Sequence, residues 1–186
     1  MDPTTAMIRV EELFKLFVEK GTENYSGEPV TQTEHGCQAA ELARTQFPKD
    51  PELIIAALFH DIGHLLPGEQ MQDLGRMDHD QAGGEFLKNL GFSERIATLV
   101  AGHVQAKRYR AFKDPEYYER LSKASKGTLE FQGGMMSAQE GLQFEHDPLF
   151  DLHFMMRGWD EAAKEANKPL PELGEFKELC VAHLRR

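Results

Sequence analysis

The sequence predicts an all-α fold, a helical bundle built as one domain over residues 1–186. Three observations carry that expectation. Apolar residues recur at helical spacing along most of the chain, capping residues stand in front of these runs, and no alternating apolar and polar stretch is long enough for a useful strand. With 40% hydrophobic and 28% charged residues, the 186-residue chain has enough apolar surface for one substantial core, and it carries no repeat, low-complexity tract or linker.

The elements follow in order. Val10, Leu13, Phe14, Phe17 and Val18 lie on one helical face, and Gly21 ends that helix. The polar stretch 22–33 reads as a loop. A helix over 33–47 turns Ala39, Leu42 and Ala43 inward. Asp50-Pro51 is an N-cap with proline at the first helical position, opening a helix from 51 to about 65. That helix is apolar nearly all round through Ile54, Ile55, Leu58 and Phe59, which places it centrally. Residues 67–77 read as loop. Asp78 is positioned to cap a helix to Leu90, stopped by Gly91, and Ser93 to cap the next, with Ile96, Leu99, Val100 and His103 inward. Asp114-Pro115 opens another helix. Ser125, Thr128 and Gln132 fall in a Gly-rich polar stretch of loop and cap type. Ser137 and Glu140 have capping-box spacing. Asp147-Pro148 starts a helix through Leu149, Leu152, His153, Met156 and Asp160, and a last helix runs over 171–184.

Charge narrows the partners. The 21 Lys and Arg stand against 31 Asp and Glu, a net of −10. Neither a bulk-electrostatic nucleic-acid binder nor a protein attracted to an anionic membrane surface has this sign. A small anionic substrate remains open, because a few local cations outvote the net charge. The two cysteines, Cys37 and Cys180, form no CxxC and no disulfide framework, and read as free thiols of a reducing compartment. The longest apolar run, 53–59, is too short to span a bilayer, and the first residues lack a signal-type stretch. The expected address is cytoplasmic.

Eight histidines carry the chemical information: 35, 60, 64, 79, 103, 146, 153 and 183. His60-Asp61-Ile62-Gly63-His64 sits at the end of the most buried helix, where ionisable side chains are costly unless something satisfies them. On a continuing helix Ala57, His60, Asp61 and His64 share a face. A lone His-Asp pair is equally compatible with a buried hydrogen bond. Its surroundings favour metal: His35 opens the preceding helix, His79 starts a later one, and His103 and Asp160 fall on inner stripes. Six ligand-type residues from five helices are the pattern by which bundles build dinuclear sites, with Asp61 able to bridge. Lys107, one turn after His103, points toward the same region and calls for an anion. Ser125, Thr128 and Gln132 supply uncharged donors, and His64 is better placed to contact substrate than metal. Tyr25 and Glu28 lie in the polar loop before His35. His146, His153 and His183 are set aside as loop, core and terminal residues, and Met135-Met136 and Met155-Met156 as packing.

Several strings together carry a resemblance. They are Tyr25-Ser-Gly-Glu28, His60-Asp-Ile-Gly-His64, Gly91-Phe-Ser-Glu-Arg95, Gly102-His-Val-Gln-Ala-Lys-Arg-Tyr109, Thr128-Leu-Glu-Phe-Gln-Gly-Gly134 and Arg157-Gly-Trp-Asp160. Over essentially its whole length the chain resembles the mixed-valent diiron oxygenases of the HD-domain superfamily, within them the PhnZ/TmpB-type hydroxy-phosphonate oxygenases, on the TmpB side. The resemblance implies two irons, Fe(II)/Fe(III), with O2 as co-substrate. One iron would take His35, His60, Asp61 and Asp160, and the other His79, His103 and the far oxygen of Asp61. It implies that Tyr25 and Glu28 act catalytically as a lid, the tyrosine guarding an iron and the glutamate meeting the substrate's cationic nitrogen. His64, Lys107, Ser125, Thr128 and Gln132 would contact substrate.

The implied reaction is O2-dependent cleavage of the C–P bond of (R)-1-hydroxy-2-(trimethylammonio)ethylphosphonate to glycine betaine and phosphate, on a substrate supplied by an upstream hydroxylase. Glu28, Tyr25 and Trp159 are the groups that would suit a quaternary ammonium. The primary-amine analogue, giving glycine, is an alternative. So is a metal-dependent phosphohydrolase, which needs the same His-Asp core and only a metal-activated water. A non-catalytic HD module binding an anionic ligand would have no use for all six ligand positions.

Overall fold

The computed structural model describes residues 1–22 and 28–186. Among them the chain forms ten α-helices, one 3-10 turn and no strand, as the periodicity predicts. Helix α1, Pro3–Lys20, starts where Asp2 accepts the Thr5 N–H and buries Val10, Leu13, Phe14 and Phe17. Val18 sits at the edge of that stripe and is exposed. Helix α2, Gln32–Gln46, is set by a capping box in which Thr31 and Glu34 exchange side-chain-to-backbone bonds.

Helix α3, Pro51–Leu58, is the buried centre, and here the sequence expectation needs correcting. It ends at Leu58 rather than near 65. Phe59 leaves helical geometry, His60 and Asp61 occupy a turn, and Ile62–Leu65 form the 3-10 turn. The cause is local. The His60 Nδ1–H donates to the Ala57 carbonyl at 2.8 Å, the acceptor that the Asp61 N–H would need to continue the helix. Gly63 then lies against the next ligand-bearing helix: a Cβ there would stand 1.9 Å from the His79 carbonyl oxygen.

Helix α4, His79–Asn89, and helix α5, Glu94–Lys113, pack along each other. Asp78 does not cap α4 with its side chain, because Arg76 holds that carboxylate at 2.5 and 2.9 Å. Helix α6 spans Pro115–Arg120. Helix α7, Lys123–Phe131, is a second correction: the stretch read as polar loop is a helix capped by Ser122, whose hydroxyl accepts the Ser125 N–H. Helix α8, Ala138–Glu145, has the expected capping box of Ser137 and Glu140. Helix α9 runs Phe150–Ala162 and helix α10 Leu173–Leu184.

Helix α3 touches α2, α5, α9 and α10, so the main core surrounds the His60-Asp61 turn. Phe14, Phe17 and Phe59 meet edge to face with centroids 5.3–6.3 Å apart, each burial contributing about 1.5–3 kcal/mol. Cys37 and Cys180 are free and buried. Burial pushes the Cys37 thiol up to about 12 and that of Cys180 higher. Among the described residues no helix is long and apolar enough to cross a membrane.

Candidate metal centre and anion pocket

The turn after α3 brings Asp61 between two pairs of histidines. Its Oδ2 lies 3.5 Å from both His35 Nε2 and His60 Nε2, while its Oδ1 lies 3.3 Å from His79 Nε2 and 3.2 Å from His103 Nε2. Within each pair the Nε2 atoms are 3.1 Å apart. Asp160 of α9 joins the first pair, with Oδ1 3.3 Å from His35 and 4.0 Å from His60. All six side chains are buried.

The outer ring nitrogens fix the tautomers. His35 Nδ1 faces the Ala163 carbonyl, His60 the Ala57, His79 the Arg76 and His103 the Val100 carbonyl, at 2.7–3.1 Å. A carbonyl only accepts, so each Nδ1 carries hydrogen, and in the neutral tautomer this leaves the Nε2 lone pair facing inward. Asp61 Oδ2 and Asp160 Oδ1 face the same space without a hydrogen-bond partner. Lone pairs and carboxylates converging in a buried place need cations between them. Neighbouring ligand atoms around an octahedral ion with bonds of ~2.1 Å lie about 3 Å apart, the spacing found here. This donor set fits two metal ions, one at His35, His60 and Asp160, the other at His79 and His103, with Asp61 between.

Burial pushes His60 down to about 4, so it is neutral at physiological pH. Burial alone would raise the Asp160 carboxyl, but the Arg157 guanidinium, which hydrogen-bonds its Oδ2, holds it well below the usual range. His64 also comes within ligand reach of Asp61 and His79. Its Nδ1, however, accepts the Arg76 N–H at 3.1 Å, and its ring stacks flat on His79 at 3.9 Å. That leaves the His64 Nε2–H as a donor beside the metal centre rather than as a ligand.

Next to the centre lies a narrow cavity lined by Asp61, His79, His103 and Asp160 together with His64, Lys107, Ser125, Thr128 and Gln132. The structure thus brings His35, His60, Asp61, His79, His103 and Asp160 together with His64, Lys107, Ser125, Thr128 and Gln132. Ser125, Thr128 and Gln132 project from one face of α7 and its C-terminus, at i, i+3 and i+7. Lys107 Nζ donates to Thr128 Oγ1 at 2.9 Å, and both ends of the Gln132 amide are buried without a partner. Burial, aided by the neighbouring Arg157 charge, lowers Lys107 to about 7. Glu28 reaches the rim, with Lys164 at 2.8 Å and Ser122 at 3.0 Å on one carboxylate oxygen. Tyr25 lies outside the described residues.

Three readings change. Trp159 does not line the cavity; it is buried in the main core against Phe47, on the side of α9 away from the metal centre. His183 is a packed residue, stacked on Phe92 and accepting the Ser93 N–H at 3.2 Å. Arg157, which the sequence gave only as part of a string, is a lining residue with its Nη2 buried and unpartnered. Its signal was position: three residues before Asp160 on the same helical face. His146, a helix C-cap bonded to the Leu142 carbonyl, and His153, stacked on Phe144, stay apart from the cavity.

A bundle without strands among the described residues, presenting His…His-Asp…His…His…Asp inward, has the architecture of an HD domain. Residues 33–128 match the HD domain family, and the chain belongs to it. Its relatives are similar over most of their length. A [1-hydroxy-2-(trimethylamino)ethyl]phosphonate dioxygenase (glycine-betaine-forming) of Leisingera caerulea is 40% identical, covering 90% of this chain and 86% of its own. A hydroxymethylphosphonate dioxygenase of Gimesia maris is 36% identical, covering 94% and 89%. The uncharacterized protein L432 of Acanthamoeba polyphaga mimivirus is 37% identical, covering 94% and 81%.

Proposed function

We propose that residues 1–186 form one HD-type domain that acts as an O2-dependent diiron oxygenase, cleaving the C–P bond of a 1-hydroxy-phosphonate in phosphonate catabolism. The observation that carries this reading is Asp61 dividing its oxygens between two histidine pairs, beside a cavity also lined by Lys107, Ser125, Thr128 and Gln132. His35, His60, Asp61 and Asp160 would hold one iron, and His79, His103 and Asp61 the other, in the Fe(II)/Fe(III) state. Bound there, the pair supplies activation of O2 and Lewis-acid binding of the substrate's hydroxyl and phosphonate oxygens. One O2 is consumed, the C1–H and C–P bonds break, and a carboxylate, phosphate and a proton result.

The chain's own part is binding and orientation. The Lys107 ammonium offers a charge-assisted bond to a phosphonate oxygen, the Ser125 hydroxyl and the Gln132 amide are neutral donors around it, and the Thr128 hydroxyl, which donates to the Ser125 carbonyl, positions the ammonium by accepting from it. The His64 Nε2–H stands ready for an oxygen between phosphonate and metal. Leu74, Val104 and Ala124 supply apolar wall that limits water.

For the substrate's tail we propose the trimethylammonio group, with Glu28 as its counter-charge and the primary-amine analogue as the next choice. One observation favours a tail without nitrogen, as in hydroxymethylphosphonate: the Glu28 carboxylate already has an ammonium, that of Lys164, at 2.8 Å. We place the enzyme in the cytoplasm, downstream of a hydroxylase that installs the C1 hydroxyl. The test is anaerobic loading with ferrous iron, partial oxidation, and then measurement of O2 uptake and phosphate release on a panel of 1-hydroxy-phosphonates with trimethylammonio, ammonio and hydrogen tails. One phosphate per O2 is expected. Phosphate release from phosphate esters with Mg2+ alone, and no O2 uptake on any member of the panel, would assign the phosphohydrolase reading instead.

A further inference from the structure

A second cavity adjoins the first. It measures about 250 Å3 and meets the metal-side cavity at Glu28, Ser125 and Arg157, which line both. Its charged lining consists of Arg110, Arg120, Arg157 and Lys164 against Glu28 and Glu161. Three of the four cations are guanidinium groups, although Arg157 also pairs with Asp160, and Arg120 with Asp114 and Glu116, outside the lining. The cations are held in place: Arg110 lies 4.2 Å over the Tyr117 ring and bonds Glu161 at 3.0 Å, and the Arg157 Nε donates to Tyr117 Oη and Glu161 at 3.0 and 2.9 Å. Arg157 itself is 4% exposed, and its Nη2 has no partner. A buried guanidinium donor without an acceptor, at the junction of two cavities, is costly unless an anion visits it.

We propose that this outer chamber is a second binding site for a tetrahedral dianion, separate from the inner site at Lys107, Ser125, Thr128 and Gln132. Arg157 is shared between the two, so an anion leaving or approaching the inner site passes from one set of cations to the next without crossing an uncompensated stretch. The guanidinium planes of Arg110, Arg120 and Arg157 suit the oxygens of a phosphate or phosphonate dianion. The identity of the dianion rests on the hydroxy-phosphonate reading; the cationic chamber does not. Two sources share this chemistry, the phosphonate head of an incoming substrate and the phosphate released by the reaction.

The test is equilibrium dialysis of radiolabelled inorganic phosphate against the full-length, metal-loaded protein, which needs no turnover. Two classes of site are expected, one weakened by Lys107→Met and the other weakened roughly tenfold by Arg110→Gln together with Arg120→Gln. Arg120 is exposed and, among the described residues, bonded to its neighbours Asp114 and Glu116, so Arg120→Gln alone serves as the variant that keeps the fold. It should show a smaller loss at the same class of site. A single class of site that responds to Lys107→Met and to neither arginine change overturns the proposal. Steady-state kinetics separate the sources: a fall in kcat/KM at constant kcat marks capture of substrate, whereas a changed kcat with weaker phosphate inhibition marks release of product. If no hydroxy-phosphonate supports O2 uptake yet the arginine-dependent phosphate site is present, the oxygenase reading fails and the chamber stands.

Discussion

The Glu28 carboxylate and the Lys164 ammonium meet at 2.8 Å, both mostly shielded from solvent, Glu28 lining both cavities and Lys164 the outer one. A substrate's cationic nitrogen would compete with Lys164 for the same oxygens. Lys164→Met should therefore raise the kcat/KM of a trimethylammonio substrate relative to hydroxymethylphosphonate, by about fivefold for a contact of roughly 1 kcal/mol. Glu28→Gln should move the ratio the other way. If neither variant moves it, the pair is a brace between the loop and the segment after α9, and the nitrogen is recognised elsewhere.

Among the described residues Asp61 is the one carboxylate that contacts both histidine pairs. Asp61→Ala should reduce metal content at both positions, whereas His79→Ala should weaken only one by at least tenfold and leave the His35–His60–Asp160 group loaded. Elemental analysis after anaerobic reconstitution and desalting measures this. Equal loss in the two variants would mean that the two groups do not bind independently.

Gly63 allows the turn after α3 to press on the start of α4, where a Cβ would lie 1.9 Å from the His79 carbonyl oxygen. The obstacle is backbone, so no side-chain rotation relieves it. Gly63→Ala should cost about 1–3 kcal/mol in denaturant unfolding and should release the metal held by His79 and His103 before that held by His35 and His60. Unfolding at the wild-type midpoint with full metal content would show that α4 shifts without consequence.

The sequence exposed the ligands better than the backbone that carries them. His35, His103 and Asp160 were legible because they sit in register with apolar stripes. His60 and Asp61 were legible as ionisable groups at the end of an apolar helix, yet that helix was read seven residues too long, since its termination depends on the His60 side chain capturing the Ala57 carbonyl. Helix α7 was missed for a different reason. Its inner face is Ser125, Thr128 and Gln132, polar because it lines a cavity, and periodicity in apolar residues cannot register such a face. Trp159 looked like an aromatic wall for a quaternary ammonium because it neighbours Asp160, but adjacent helical positions point about 100° apart, and it packs into the core.

Lys107 gives the last prediction. Burial and then the Arg157 charge lower it from the ordinary 10.5 to about 7. Between those values the unfolded chain binds a proton that the folded chain lacks, so the stability of the metal-free protein should rise with pH through this window. The slope is at most about 1.4 kcal/mol per pH unit, and Lys107→Met should remove it. Denaturant unfolding of the two proteins at pH 7.5 and 9 measures the difference. The same titration governs anion binding with the opposite sign. Only the ammonium form attracts an oxyanion, so sulfate, which does not titrate here, should bind the wild type more weakly as pH rises above about 7 and take up a proton on binding. Calorimetry in two buffers of different ionisation enthalpy counts that proton. Parallel stability slopes in the two proteins, together with sulfate binding that takes up no proton, would remove Lys107 as the cation that meets the phosphonate.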